Sequence, residues 1–344
     1  MNIRQIDYIN NDLDACFNNT QAIQDLKNKV IYISGSSGFM GSWLLEAIRY
    51  LNESHGFNTK AYATAKEPEL MMKRNPHLFS ENVESLKIDV RSLFEIPSDV
   101  THVVNLAGVP DVRVHASDPL RVMDTNIQGV CNMLSASSRL PMLEKFIHLS
   151  SGLIYGKVDS ELITEKELGT LEMASPSTCY VESKRVAETY CQVYRSQFRM
   201  PIVTLRPFTF IGPHQSIEMP WAINNFIKDA INGGPIRILR NEANRRSCMY
   251  PADMVNLILR TMARGESGDS FNLGSDDSKS MSDIAEIVSR CFSKKIMVEL
   301  PINKSTDKSI FVPSMKKSSA KLKFELKYNV ETSIKKTIEW LKLS

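Results

Sequence analysis

The chain has 344 residues, 42% of them hydrophobic, enough to bury a large core. Its 42 basic and 39 acidic residues leave a net charge of +3 with no dense Lys/Arg block, which argues against a nucleic-acid surface and favours small anions as partners. The six cysteines are scattered without a CxxC pair or paired histidine spacing, and no run of about 18 apolar residues occurs; these features predict reduced thiols, no metal, no membrane partner and a soluble, cytoplasmic protein.

In chain order, residues 1–28 read as a helical extension. The apolar runs KVIYIS, KAYATA, SLKID, THVVNLAG, KFIHLSS and PIVTLRP then alternate with helix-length amphipathic stretches, among them GSWLLEAIRYL, residues 118–138 and residues 180–197. Strands separated by helices predict an α/β fold, a Rossmann-type doubly wound parallel sheet. From 208 to 250 the chain becomes rich in Gly, Pro and Asn, and shorter helices follow near 252–264 and 281–291. The expected organisation is a dinucleotide-binding domain over 29–206 and a smaller, discontinuous substrate-binding lobe over 207–344.

Directly after the first strand comes SGSSGFMGS, with Gly35, Gly38 and Gly41 enclosing Ser37, Phe39 and Met40. A tight glycine turn leading into a helix offers free backbone N–H groups and a positive dipole end to a pyrophosphate. The same pattern also serves as a plain strand-to-helix turn. Further along, Tyr180 and Lys184 share one helix face, so the ammonium can depress the phenol's pKa and hold a ribose. A surface Tyr and Lys would satisfy that spacing equally. Ser151 ends the strand KFIHLSS at the carboxyl edge of the sheet, where open α/β sheets bind ligands, and Ser150 ranks second because it points to the other face. The second strand ends without an acid and is followed by Lys66, which favours NADP over NAD, although a solvated loop charge accounts for Lys66 as well.

The spacing GxxGxxG, with IDV at 88–90, NLAG at 105–108, DTNIQG at 124–129, HLSSGLIYG at 148–156, YVESK at 180–184, RPFTFIGP at 206–213 and RRSCMYPAD at 245–253, resembles the extended short-chain dehydrogenase/reductase family in its nucleotide-sugar epimerase, dehydratase and reductase branch. The resemblance implies Tyr180 as acid/base, Lys184 as its electrostatic partner, Ser151 as the oxygen-positioning hydroxyl and Asn126 as a link in a proton path. It implies dinucleotide contacts from the glycine turn, Leu106, Ala107, Gly108 and Pro207, with Asp89 and Val90 at the adenine. It implies a nucleoside-diphosphate sugar held by Arg246 and by Asn225, or Asn224 in the neighbouring register, with Thr209 standing where many relatives have Asn. A homodimer is the family habit.

Relatives that dehydrate carry an Asp-Glu pair immediately after the hydroxyl residue, and those that decarboxylate keep a carboxylate at the second position; here stand Gly152 and Leu153. What remains is hydride transfer at a sugar carbon. The expectation is 4-keto reduction, with epimerisation on tightly held NAD as the alternative. Glu165, Glu167 and Glu172 offer the route back to 4,6-dehydration if one folds over the site. A non-catalytic dinucleotide sensor and a reductase of a non-nucleotide carbonyl compound stay open.

Overall fold

A computed structural model describes residues 1–172, 175–294, 296–301 and 309–343. Seven strands form one parallel sheet: β1 (Val30–Ser34), β2 (Lys60–Ala65), β3 (Val83–Lys87), β4 (His102–Asn105), β5 (Lys145–Leu149), β6 (Ile202–Pro207) and β7 (Ser270–Leu273). Their order is β3-β2-β1-β4-β5-β6-β7, so the winding reverses between β1 and β4 and a crevice opens at their carboxyl ends.

Strand alternation divides the core. Val103 and Phe146 face one apolar layer with Met133 and Ala187, while their neighbours Val104 and Ile147 face the other with Leu44 and Ile258. The longer helices are α1 (Ile3–Phe17), α2 (Phe39–His55), α3 (Pro119–Ser137), α4 (Cys179–Phe198), α5 (Ala222–Ile231), α6 (Pro251–Arg264), α7 (Met281–Arg290) and α8 (Val330–Lys342). Helix α3 begins at Pro119, where the missing N–H is harmless, and the Asp118 side chain accepts from Arg121 N. A separate apolar cluster built on Ile223, Phe226, Ile284, Val288 and Ile334 holds α5, α7 and α8 together beside the crevice.

Residues 1–28 are tied in closely. Asn2 and Gln5 form a capping box for α1, whose Ile9 and Leu13 are fully buried in the main core. Strand β7 and α6, both beyond residue 207, complete the sheet and its cover.

Candidate functional site

The glycine turn is built by close approach. Gly35 has φ +68°, and a Cβ there would stand 2.9 Å from Ala107 Cα and N; a Cβ on Gly41 would overlap Ser36. Ser34 Oγ donates to Asn105 Oδ1 at 2.7 Å and accepts from Ala107 N at 3.3 Å, which clamps the ends of β1 and β4. Gly38 caps α2 with neither a side-chain cap nor an acid in the first turn. That end of the helix therefore faces the crevice with its dipole uncompensated, as an anion site requires. The crevice is a cavity of about 1180 Å³, and Gly35, Ser37, Gly38, Phe39, Met40, Gly41, Leu106, Ala107, Gly108 and Pro207 all line it.

Ser151, Tyr180 and Lys184 line the same cavity. Ser151 caps a short turn, its Oγ accepting from Leu153 N at 3.1 Å. Lys184, on α4, donates from Nζ to the Leu149 carbonyl at 2.8 Å and lies 5.9 Å from the Tyr180 ring centroid. Burial without a carboxylate partner lowers the Lys184 ammonium to about 8. The expected depression of Tyr180 is not found: burial raises the phenol, and the Ser151 hydroxyl opposes that rise only in part. The Lys184 ammonium, 5.9 Å from the ring centroid, does not offset the phenol's desolvation.

The Tyr180 ring stacks on His115 at 4.6 Å and 15°, and His115 Nε2 is 2.7 Å from the Val109 carbonyl. His115 belongs to no motif, so no sequence signal points to it. Asn126 is fully buried and does not line the cavity; its Nδ2 donates to Ser183 Oγ at 2.9 Å and its Oδ1 has no partner among the described residues. It reaches the site through Gly108, where a Cβ would lie 3.5 Å from both Asn126 Oδ1 and Lys184 Nζ.

Lys66, Asp89 and Val90 lie outside this cavity. The Asp89 carboxylate takes Lys66 at 3.3 Å and Arg91 at 2.6 Å, and Arg91 first and Lys66 after it hold it well below the usual carboxylate range. Val90 packs its side chain toward Gly129 on α3, and its carbonyl accepts from Asn132.

On the opposite wall, Thr209, Asn224, Asn225 and Arg246 all line the cavity. The Asn224 amide is consumed by the Ser216 carbonyl at 3.1 Å, while the half-buried Asn225 side chain has no hydrogen bond among the described residues. Arg246 donates to the carbonyls of Arg245 (2.8 Å) and Ser309 (2.9 Å); burial and then the neighbouring charge of Arg240 lower it. Arg240 also lines the cavity and pairs with no carboxylate among the described residues.

The model of the NAD dependent epimerase/dehydratase family matches residues 31–274. The chain belongs to that family. Its members are enzymes, and the resemblance carried by the eight motifs holds. UDP-glucuronic acid decarboxylase 3 of Arabidopsis thaliana is 25% identical over 307 residues, 89% of this chain and 87% of the relative. UDP-glucuronic acid decarboxylase 1 of Xenopus tropicalis is 25% identical over 324 residues, 93% and 74% of the two chains. UDP-glucuronic acid 4-epimerase of Bacillus cereus, solved with UDP-glucuronic acid and NAD, shares the fold with a TM-score of 0.77 at 22% identity, over 91% of this chain and 99% of the other.

In this member of the NAD dependent epimerase/dehydratase family, Gly152 and Leu153 follow Ser151. A Cβ at Gly152 would stand 2.8 Å from the Phe208 ring, so the ring occupies the room a carboxylate would need. Leu153 lines the cavity in place of an acid. Glu165 Oε1 accepts from Asn272 N at 2.9 Å, and Glu167 is 3.3 Å from the Thr164 hydroxyl. Neither they nor Glu172 line the cavity.

Proposed function

We propose that this protein transfers hydride at one carbon of a nucleotide-linked sugar, with Tyr180 as acid/base, and that it uses NAD to oxidise and re-reduce that carbon as an epimerase. The observation that carries the reading is the meeting of Ser151, Tyr180 and Lys184 in a cavity whose strand-end positions 152 and 153 lack a carboxylate. The glycine turn, with no room for side chains at Gly35 and Gly41, fits a dinucleotide pyrophosphate at the start of α2. When bound there, the nicotinamide supplies a hydride acceptor. Tyr180 would take the proton of the sugar hydroxyl and return it, Ser151 would orient the oxygen, and Lys184 would hold a ribose hydroxyl.

The sequence-based preference for NADP rests on Lys66 and the missing acid. A 2′-phosphate brought to Lys66 would lie beside the Asp89 carboxylate, 3.3 Å from the ammonium, so we assign NAD. Ketoreduction is the second reading, favoured by the absence of a carboxylate at Ala65 and Lys66. Arg246 and Arg240, without carboxylate partners among the described residues, suit the diphosphate, and Asn225 lines the same cavity. Val186, Tyr190 and Val193 leave a half-exposed apolar stripe along α4, which we assign to a homodimer contact. No helix among the described residues is long and apolar enough to cross a membrane. We place the protein in the cytoplasm, where its free cysteines stay reduced.

The reading is tested by mixing NAD-loaded protein with UDP- and dTDP-hexoses and following nicotinamide absorbance. An epimerase shows transient reduced nicotinamide that is re-oxidised. A ketoreductase consumes NADH only with a 4-keto sugar. No reduction and no consumption with either class would overturn both.

A further inference from the structure

We infer that the sugar this cleft takes carries an uncharged, apolar substituent beside its reacting carbon, such as the methyl group of a 6-deoxyhexose, and not a carboxylate. The inference rests on the nucleotide-sugar reading above. Ser151 and Tyr180 mark the reacting carbon and its oxygen, and a substituent one bond further meets the residues that follow Ser151 in the chain. Leu153 lines the cavity there with 44% of its surface exposed. Next to it Phe208 lies against two glycines: a Cβ on Gly152 would stand 2.8 Å from the ring, and one on Gly274 3.1 Å from Phe208 Cβ. Phe311 packs against Phe208 with ring centroids 4.5 Å apart and planes tilted by 31°, and lines the same cavity. Three apolar side chains therefore cover the wall beyond the reacting carbon.

The cations lining the cavity are either paired on its wall or, as with Arg240 and Arg246, assigned above to the diphosphate. Lys228 and Arg237 pair with Glu218 at 2.7 Å and Asp229 at 2.6 Å, and Lys184 donates to the Leu149 carbonyl. Arg206, whose partner Tyr155 packs on Phe208, is bound to Glu188 at 2.8 Å. Arg246 is the strand partner of Phe311, yet its guanidinium is turned onto Arg245 and Ser309. A carboxylate on this wall would lose its hydration and gain no partner, whereas a methyl group gains apolar contact.

The test is calorimetric titration of the NAD-loaded full chain with UDP and dTDP alone, and with their 6-deoxyglucose, glucose and glucuronate derivatives. Wild-type protein is expected to bind a 6-deoxyglucose derivative at least tenfold tighter than the matching glucuronate. Leu153→Arg, at an exposed position, is expected to reverse that order while leaving affinity for the bare diphosphate unchanged. Equal or tighter glucuronate binding by the wild type, or an unchanged ratio in Leu153→Arg, would overturn the inference. Glucuronate binding that vanishes in Arg246→Ala while UDP and dTDP still bind would overturn it too, by placing that guanidinium on the sugar. Failure of UDP, dTDP and every derivative to bind would instead remove the nucleotide-sugar reading beneath it.

Discussion

Lys184 shows most plainly what the site does to a single residue. Its ammonium is buried with one carbonyl for company, and at neutral pH the folded chain must hold that charge against a pKa lowered to about 8. The shift amounts to about 3 kcal/mol of strain on the charged form. Because the folded pKa lies below the unfolded one, the folded state holds fewer protons from about pH 8 to the ordinary lysine value, and stability rises with pH across that window. Lys184→Met should therefore stabilise the protein at pH 7 by about 1–2 kcal/mol, net of the lost Leu149 hydrogen bond, and should abolish that rise. Denaturant unfolding at pH 7 and pH 9.5 checks both. Tyr180→Phe should cut turnover by about a hundredfold or more while leaving NAD affinity nearly intact, as steady-state rates and calorimetry would show. Tyr180, Lys184 and Ser151 were legible in the sequence because spacing and strand position bring them together. His115 was not, because a stacking partner is chosen by tertiary packing alone. Nor could Lys66 be read correctly from KAYATAK, since its partner Asp89 arrives from the next strand.

At the scale of the element, helix α2 is asymmetric in how its two glycine ends work. At its start Gly41 has no space for a side chain; at its end Gly56 has φ +58° and nothing within 4 Å of a Cβ. Gly41→Ala should cost about 1–3 kcal/mol by overpacking and abolish NAD binding, because relief requires the turn itself to move. Gly56→Ala should cost about 1 kcal/mol of left-handed strain and leave NAD binding unchanged. Thermal unfolding with calorimetry on both variants separates the roles. The strands and crossover helices of the first two hundred residues were readable from periodicity, since parallel strands buried on both faces give unbroken apolar runs. Helix α5 was not: it stands within a segment rich in Gly, Pro and Asn, and its place is set by the Ile223–Phe226–Ile284 cluster. Strand β7 is not legible in the sequence either: SFNL alternates too briefly and sets a buried Asn272 among its apolar residues.

For the whole molecule, the first and last helices close on each other. Asp12 of α1 is buried between Lys336 Nζ at 2.6 Å and the Tyr250 hydroxyl at 2.5 Å, and Tyr328 donates to its carbonyl at 3.1 Å. Asp12→Ala strands a half-buried ammonium and a fully buried phenol, so it should cost about 3 kcal/mol in unfolding experiments. Glu144→Ala, which breaks the exposed pair with Lys29, should cost under about 1 kcal/mol. This closure ties both termini to the sheet that carries the cleft.

The account stands on the claim that the cleft moves hydride without expelling anything from the sugar. The most direct measurement is mass spectrometry of UDP- and dTDP-linked hexoses, 6-deoxyhexoses, their 4-keto forms and glucuronates after incubation with the protein and NAD or NADH. An epimer of unchanged mass at a new chromatographic retention time is expected, or, for the second reading, a 4-keto sugar that gains two hydrogens. Loss of one water from a hexose, or of carbon dioxide from a glucuronate, at an efficient rate would contradict it.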